Sequence, residues 1–240
     1  MILLTGLLIY RDKIKDLVST KWLIIHFIIN FAGLYLSYAR GAWLGYLLAV
    51  PFFFWGKKKV FFSITGIGAL ILIASIMFNP MAKNRFLNSA ASNGERLSYF
   101  QAALYAFQEK PIFGLGYKNF QPNSVRLKKK YDLDYKDRNG HAHNNFLEHL
   151  STTGIIGFLF LLLFHFFWFW EGILSNTFLG KIAAVFTISL TISGMTQLTI
   201  GDGENLFFIM GFYTLFRTYL SVKNPQEEKS PELQEAYSTY

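Results

Sequence analysis

Histidine and glutamate side chains cluster where a long charged segment meets an apolar run, at His141, His143, Glu148 and His149. A neutral imidazole can take a proton from a hydroxyl group near pH 7. Ionisable groups at a boundary between water and an apolar phase are costly to keep, which favours a chemical role. We therefore interpret His143 as a candidate general base. Asn144 and Glu148 are four residues apart and share a helix face, so that Glu148 could orient a neighbour.

The same residue types bind metal ions, so a metal centre is the first alternative. If the chain is helical from Asn144 onward, His143 and His149 point about 120° away from each other. No two histidines are four residues apart, the spacing that places both on one helix face. The sequence therefore predicts no metal site. Histidines with purely structural hydrogen bonds remain an alternative, and His26 and His165 are interpreted as packing residues inside apolar runs.

Two arginines could supply an anion site beside these histidines. Arg40 lies at the end of an apolar run, and Arg96 lies in the long charged segment. A guanidinium at a membrane surface can bind a phosphate in a bidentate manner, whereas the simpler alternative is an arginine that reaches the interface. Asp202 and Glu204 lie in a short loop that we place on the same side. They could orient His143 or an arginine, or be solvated.

The charged segment 79–145 contains a predicted helix over residues 97–108, with Leu97, Phe100, Ala103, Leu104 and Phe107 on one apolar face. Glu95 and Arg96 are expected in its first turn, and Pro111 should follow its end. The stretch from Gly114 to Gly116 is either a simple turn or a backbone pocket close to a ligand. The basic residues Arg126, Lys128, Lys129 and Lys130, with Asp132, Asp134 and Asp137 after them, are interpreted as a solvated loop.

Apolar runs of membrane-spanning length recur along the chain. They cover residues 22–38, 41–56, 60–78, 146–170, 182–200 and 206–222, and residues 1–10 form a partial span or a short interfacial helix. Lysines and arginines in the short connections fall on one side when the spans alternate, which the positive-inside rule assigns to the cytoplasm. We predict an all-α polytopic membrane helix bundle with about six full spans and one partial span. The expected divisions are membrane spans 1–78, a large helical periplasmic loop 79–145, membrane spans 146–222 and a disordered cytoplasmic tail 223–240.

Composition limits the remaining possibilities. The 240 residues include no cysteine, which excludes a disulfide framework and a zinc–thiolate site, and no nucleic-acid-binding motif is present. The net charge is +8, and segment 79–145 carries eleven Lys and Arg against five Asp and Glu. A basic outer segment suits an anionic ligand such as a diphosphate, although a solvated surface would look similar.

Three segments resemble the O-antigen ligase and polymerase superfamily of bacterial membrane glycosyltransferases. The first, from Ser37 to Trp43, is similar to the pattern S-x-x-R-x-x-W. The second is similar to G-x-R followed by P-x-x-G-x-G and comprises Gly94-Glu95-Arg96 and Pro111 to Gly116. The third is similar to the ligase signature H-[NSQ]-x9-G-x-x-G and comprises His143-Asn144 and Gly154 to Gly157.

The resemblance implies a glycan donor linked to undecaprenyl diphosphate and an acceptor hydroxyl on lipid A–core, on a growing glycan or on a protein. It implies His143 as general base and Arg40 and Arg96 as the groups that bind the diphosphate, without metal or cofactor. Further substrate contacts are expected from the residues close to these three in the pattern or on the outer side: His141, Asn144, Gly114, Gly116, Asp202 and Glu204. The expected location is the bacterial inner membrane, with several spans and the site facing the periplasm.

Family members usually have about ten to twelve spans, so the chain is expected to correspond to a C-terminal half whose first span is truncated. A polymerase or a protein O-oligosaccharyltransferase of the same family is an alternative to the ligase. A transporter of an anionic glycolipid and an inactive fragment are alternatives of other classes. The apolar runs are nearly free of charge and the polar residues collect on one side, which favours chemistry at the membrane surface over transport.

Overall fold

The structure, a computed structural model, describes residues 1–87, 90–133 and 138–223. Within these ranges every regular element is helical, in agreement with the predicted fold class. Helices α1 to α10 span, in order, Ile2–Ile9, Thr20–Leu36, Arg40–Ala49, Lys58–Phe78, Pro80–Leu87, Ala90–Glu109, Phe120–Lys130, Asn145–Leu174, Phe178–Gly194 and Gly203–Lys223. Asp134, Asp137 and residues 224–240 of the predicted tail lie outside the described residues.

Helix α9 is the centre of the larger of two cores. It packs against α1, α3, α8 and α10. Ile182 and Ala183 of α9 are fully buried, together with Trp168 of α8 and Phe216 of α10. Helix α1 is part of this core, since a side chain at Gly6 would overlap Ile182. The predicted partial span is therefore a short helix packed into the bundle.

One helix among the described residues, α8, is long and apolar enough to cross a membrane by length and composition. The shorter apolar helices are Thr20–Leu36, Arg40–Phe54 and Phe178–Gly194. The six predicted spans coincide with helices over most of their length, although the helix in the span 182–200 ends at Gly194 and residues 195–200 are irregular. The arrangement with six spans remains a prediction.

The second core lies in the predicted outer segment and corrects the predicted face of α6. The buried residues of α6 are Ser98, Tyr99, Ala102, Ala103 and Ala106, so Ala103 of the predicted face is buried, whereas Leu97 and Leu104 are largely exposed. Alanines allow the backbone of α6 to approach its neighbours closely, so the buried face is marked by small side chains together with the Tyr99 ring. The helix also begins at Ala90, so that Glu95 and Arg96 lie beyond its first turn. Pro111 follows its end, as predicted.

The basic residues 126–130 are not a solvated loop, because they form the second half of α7. Lys128 is fully buried, and its Nζ lies 3.7 Å from the centre of the Tyr99 ring and 3.4 Å from the Arg138 carbonyl oxygen. Burial lowers the pKa of Lys128. The ammonium group of Lys128 thus holds the Tyr99 ring in place by a cation–π contact. Lys130 and Arg126 instead form exposed ion pairs with Glu109.

Candidate active site

His143 is held by a hydrogen bond from the segment that follows α9. Its Nδ1 lies 3.4 Å from Oε1 of Gln197. An amide oxygen can only accept, so this contact places the imidazole hydrogen on Nδ1 and leaves the lone pair on Nε2. Burial lowers the pKa of His143, and the neighbouring His141 lowers it further, so that the ring is neutral at pH 7. His143 therefore has the tautomer and the charge of a general base.

Glu148 fixes the backbone between the two histidines. Its Oε2 accepts a hydrogen bond of 2.7 Å from the backbone N–H of Ala142, and both residues are buried. The ring centres of His141 and His143 are 4.3 Å apart on either side of this anchored peptide. The carboxylate thus sets where both rings lie, which agrees with the prediction that Glu148 orients a neighbour.

Two consecutive asparagines join the start of α8 to residues 195–200. Asn144 caps the helix by accepting hydrogen bonds from the N–H groups of Phe146 and Leu147, and its Nδ2 donates to the Met195 carbonyl. Asn145 is almost completely buried. Its Oδ1 accepts from the backbone N–H groups of Thr199 and Ile200, and its Nδ2 donates to the Thr199 hydroxyl.

These bonds hold the segment that carries Gln197 against the segment that carries His143. The amide of Asn144 is engaged by backbone groups on both its oxygen and its nitrogen. Its predicted contact with substrate stays a prediction.

Arg40 and Arg96 lie close to each other, and Arg96 lies near the histidines. Arg40 donates from Nη2 to the Asn93 side-chain oxygen at 3.2 Å, one turn before Arg96 on α6. Burial lowers the pKa of Arg96, and the positive charge of Arg40 adds to this effect. Arg96 in turn contributes to the lowered pKa values of both His141 and His143. Arg96 thus acts on the predicted base and is itself affected by Arg40, and two like charges held together favour an anionic ligand. That the three residues form one substrate site stays a prediction.

Small residues allow the helix that carries Arg40 to approach α9. A side chain at Gly41 would overlap the Thr196 side chain, and one at Gly45 would overlap Ser193. Glycines four residues apart permit such close contact between apolar helices. Arg40 is the first residue of α3, so this contact places it beside the end of α9, next to the segment that bears Gln197.

Gly114 and Gly116 form a turn that fills a break in α8. Gly154 interrupts this helix with φ 65° and ψ −165°. The N–H groups of Leu115 and Gly116 donate to the carbonyls of Ser151 and Thr152, and the Ile155 N–H donates to the Pro111 carbonyl. The two glycines have positive φ, and the turn leaves no room for a side chain at Gly114. These contacts account for both glycines without a ligand, and their substrate contacts stay a prediction.

Asp202 acts on His141 and not on His143. It lines a cavity together with His141, and its negative charge partly offsets the lowering of the His141 pKa that burial causes. Glu204 is exposed in the first turn of α10. The partner of His143 is Gln197, which sequence reasoning did not identify; neither did it identify Asn145. The signal for both is an amide side chain near the end of an apolar run.

Within the described ranges, no three His, Asp or Glu side chains converge closely enough to hold a metal ion. The chemistry that the described groups offer is proton transfer at His143, with the guanidinium group of Arg96 near the imidazole and that of Arg40 near Arg96. A hydroxyl group and a phosphate-linked leaving group are the substrates that this combination suits.

Comparison with known proteins agrees with this chemistry. The family model described as O-Antigen ligase matches residues 25–162, which contain His143, Arg40, Arg96 and the Gly154 break. A protein of Haemophilus influenzae described as uncharacterized is 31% identical over 173 residues, which cover 62% of this chain and 42% of that protein. The chain thus spans less than half the length of this relative. It belongs to the O-antigen ligase family, whose members are glycosyltransferase-like proteins of the inner membrane.

Proposed function

We propose that this chain is a ligase that transfers a glycan from undecaprenyl diphosphate to a sugar hydroxyl of lipid A–core. The reaction takes place at the periplasmic face of the inner membrane. The observation that carries the proposal is a half-buried His143 whose Nδ1 contacts Gln197 and whose pKa is lowered in part by Arg96, which itself lies near Arg40. Family membership supports the reaction class.

His143 acts on the acceptor. Nε2 takes the proton of the acceptor hydroxyl while the oxygen attacks the anomeric carbon of the donor sugar. Gln197 keeps the hydrogen on Nδ1 and stabilises the imidazolium that forms. Because burial keeps the pKa of His143 below its ordinary value, the base is ready at neutral pH.

The arginines act on the leaving group. The bond between the anomeric carbon and the diphosphate oxygen breaks, and its electron pair stays with the diphosphate. Arg40 and Arg96 bind the anionic oxygens and stabilise the charge that develops there. Such groups take the role that a divalent cation has in many phosphate sites, so the reaction requires no metal. The proton on His143 is then released to solvent.

The proposed topology has six spans and places the site outside. The short connections rich in Lys and Arg then lie in the cytoplasm, and the predicted outer segment carries the site. Helix α8 leads from the site into the membrane: residues 155–174 extend roughly 30 Å, the thickness of the hydrocarbon region. The donor lipid would remain in the bilayer while its diphosphate reaches Arg40 at the start of α3.

The proposal is tested by complementation of a strain that lacks its O-antigen ligase. The chain and its variants His143→Ala, Arg40→Lys and His26→Ala are expressed, and the lipopolysaccharide is separated on a gel. We expect the chain to restore the ladder of long glycans. His143→Ala should abolish it, and Arg40→Lys should weaken it because lysine keeps the charge but loses the bidentate contact.

His26→Ala is the matched control, since His26 is an exposed histidine of α2 whose Nδ1 contacts only its own helix. It should leave the ladder intact. A ladder that survives His143→Ala at normal membrane levels would contradict the base assignment. Glycans that lengthen on the lipid carrier without joining lipid A–core would indicate a polymerase instead.

A further inference from the structure

A polar cavity lies beside the histidine pair and is separate from the arginines. It has a volume of about 170 Å³ and lies between the start of α7, residues 145–153 of α8 and the loop before α10. The side chains that bear on its chemistry are Tyr117, Lys118, Gln121, His141, Glu148, His149 and Asp202. Neither Arg40 nor Arg96 lines it. The cavity is therefore a second candidate binding site near His143, and it differs chemically from the arginine pair.

The walls of this cavity suit a neutral polyhydroxyl group. Gln121 and His149 supply hydrogen-bonding groups without charge. Lys118 is the one lysine of the lining, which also contains two acids, Asp202 and Glu148, and burial raises the pKa of Glu148, which favours its neutral form, so the lining has no excess of positive charge. His149 uses Nδ1 for the Asn145 carbonyl at 2.8 Å, which leaves Nε2 available to accept from a hydroxyl. Sugars need donors and acceptors side by side, whereas a diphosphate needs excess positive charge such as Arg40 and Arg96 provide.

An aromatic ring is available at the mouth of the cavity. Tyr117 is 57% exposed although it lies next to the closely packed turn at Gly116. An exposed aromatic face can stack on the apolar face of a sugar ring while its hydroxyls bind polar groups. The size agrees as well, because the cavity is smaller than the roughly 300–1,000 Å³ of drug-sized pockets and suits a single sugar unit.

The cavity is also placed correctly with respect to the base. His141 lines the cavity, and its ring centre is 4.3 Å from that of His143. A hydroxyl that projects from the cavity past His141 thus arrives at the general base. The donor diphosphate occupies the neighbouring arginine site, so the two substrates would not compete for the same groups.

We propose that this cavity binds the terminal sugar of the acceptor and presents its hydroxyl to His143. The proposal rests on the function proposed above. The acceptor loses its hydroxyl proton to His143, forms a bond from that oxygen to the anomeric carbon of the donor, and displaces the diphosphate with its electron pair. Gln121 and Tyr117 act before this step, by holding the sugar.

The first test is kinetic, with purified chain, a labelled glycan on undecaprenyl diphosphate, and lipid A–core from a ligase-deficient host strain. Gln121→Ala should raise the KM for lipid A–core about five- to tenfold, the effect of one lost hydrogen bond, and leave the KM for the donor unchanged. Tyr117→Ala should act in the same direction. Gln108→Ala is the matched control, because Gln108 is an exposed glutamine on α6 that does not line the cavity.

The outcomes separate the two proposals. If His143→Ala abolishes transfer while Gln121→Ala and Tyr117→Ala behave as the unaltered chain, the acceptor site is elsewhere and the proposed function stands. If transfer is absent, or survives His143→Ala, the proposed function fails. The acceptor site is then decided by binding alone.

The binding test uses the absence of cysteine from the chain. Gln121→Cys and Gln108→Cys each introduce a single thiol, and the rate of maleimide labelling is measured with and without lipid A–core. Protection by at least fivefold at position 121, with none at position 108, supports the inference. Equal labelling rates at position 121 with and without a saturating amount of lipid A–core would overturn it.

Discussion

Helix α8 buries two different kinds of side chain on either side of Gly154. In residues 145–153 the buried stripe is polar and consists of Asn145, Glu148, Ser151 and Thr152. In residues 155–174 the buried positions are Leu161, His165, Trp168 and Gly172, and the outward face is apolar, with Phe160 68% exposed. The buried face of α8 is therefore polar before Gly154, whereas after Gly154 the buried and outward faces are both mainly apolar.

The difference between the two parts of α8 shows where the chain uses hydrogen bonds to build structure. Before Gly154, the buried Asn145 and Glu148 bind backbone groups of two other segments, residues 195–200 and 138–144, and thereby assemble the site. After Gly154, the helix binds its neighbours through aromatic packing, as between Trp168 and Tyr213. Polar contacts give the site its geometry, whereas apolar contacts give the bundle its cohesion. The two halves should respond differently to substitution.

The largest effect is expected at the junction, for Gly154→Ala. The residue has φ 65° and ψ −165°, a conformation that costs about 1–3 kcal/mol for a residue with a side chain, and the new methyl group would overlap the Ile112 carbonyl. We expect most of the folded protein to be lost. The measurement is the thermal melting of the detergent-solubilised chain, followed by size-exclusion chromatography. Gly66→Ala on α4 is the control, since nothing lies within 4 Å of a side chain there, and it should be neutral. Equal melting of the two variants would contradict the assigned role of the break.

The next effect contrasts the two stripes directly. Asn145→Ala leaves the N–H groups of Thr199 and Ile200 without their partner and should lower the unfolding free energy by about 2 kcal/mol. It should also lower kcat at least tenfold, because the segment with Gln197 loosens. Leu161→Ala, in the apolar stripe, should lower stability by about 2–5 kcal/mol and leave kcat within twofold. Melting and transfer assays on both variants provide the measurement. An equal fall of kcat in the two variants would refute the proposed difference between the two parts of α8.

A smaller effect sharpens the role of the carboxylate in the polar stripe. Glu148→Gln keeps an oxygen that can accept from the Ala142 N–H, so we expect kcat to fall less than threefold. Glu148→Leu removes the acceptor and leaves that buried N–H unpaired, so kcat should fall about tenfold. Transfer rates at saturating substrates provide the measurement. If Gln and Leu were equally harmful, the charge of Glu148 and not its hydrogen bond would be what matters.

The smallest effect is a pair of opposite shifts in the pH profile. A general base works while neutral, so activity falls as the pH drops through the pKa of His143, which burial holds below its ordinary value. His141 lowers this pKa, so His141→Gln should move the acid limb to higher pH. The Gln197 hydrogen bond raises it, so Gln197→Leu should move the limb to lower pH. Shifts of kcat/KM in the same direction would rule out His143 as the group that titrates.

The sequence predicted the helices far better than their contacts. Apolar runs located α2, α4, α8 and α10 to within a few residues, because a run of that length has few other stable forms in lipid. That His143, Arg40 and Arg96 belong to one site stays a prediction. The bond from Asn145 to Thr199 joins residues 54 apart in sequence, and no local pattern reports such a contact.

Helices α6 and α7 also show that a local sequence pattern does not report contacts between distant segments. Periodicity included Leu97 and Leu104 with Ala103 in the apolar face of α6, but of these three only Ala103 is buried. Lys128 could not be identified as buried from a run of four basic residues, because its burial depends on the Tyr99 ring that covers it. Contacts between distant segments decided both outcomes.

The break at Gly154 gives a meaning to the fixed count of residues between His143-Asn144 and the glycine. The break at Gly154 fixes the rotation of residues 145–153 about the helix axis at one end, and the Asn144 cap fixes it at the other end. One inserted or deleted residue in 145–153 would turn the cap by about 100° and move it by about 1.5 Å. Asn145 and Glu148 would then face away from the backbones that they bind. The count of nine is thus a measure of length and angle, which fixes the position of the His143 imidazole relative to the apolar part of α8 after Gly154.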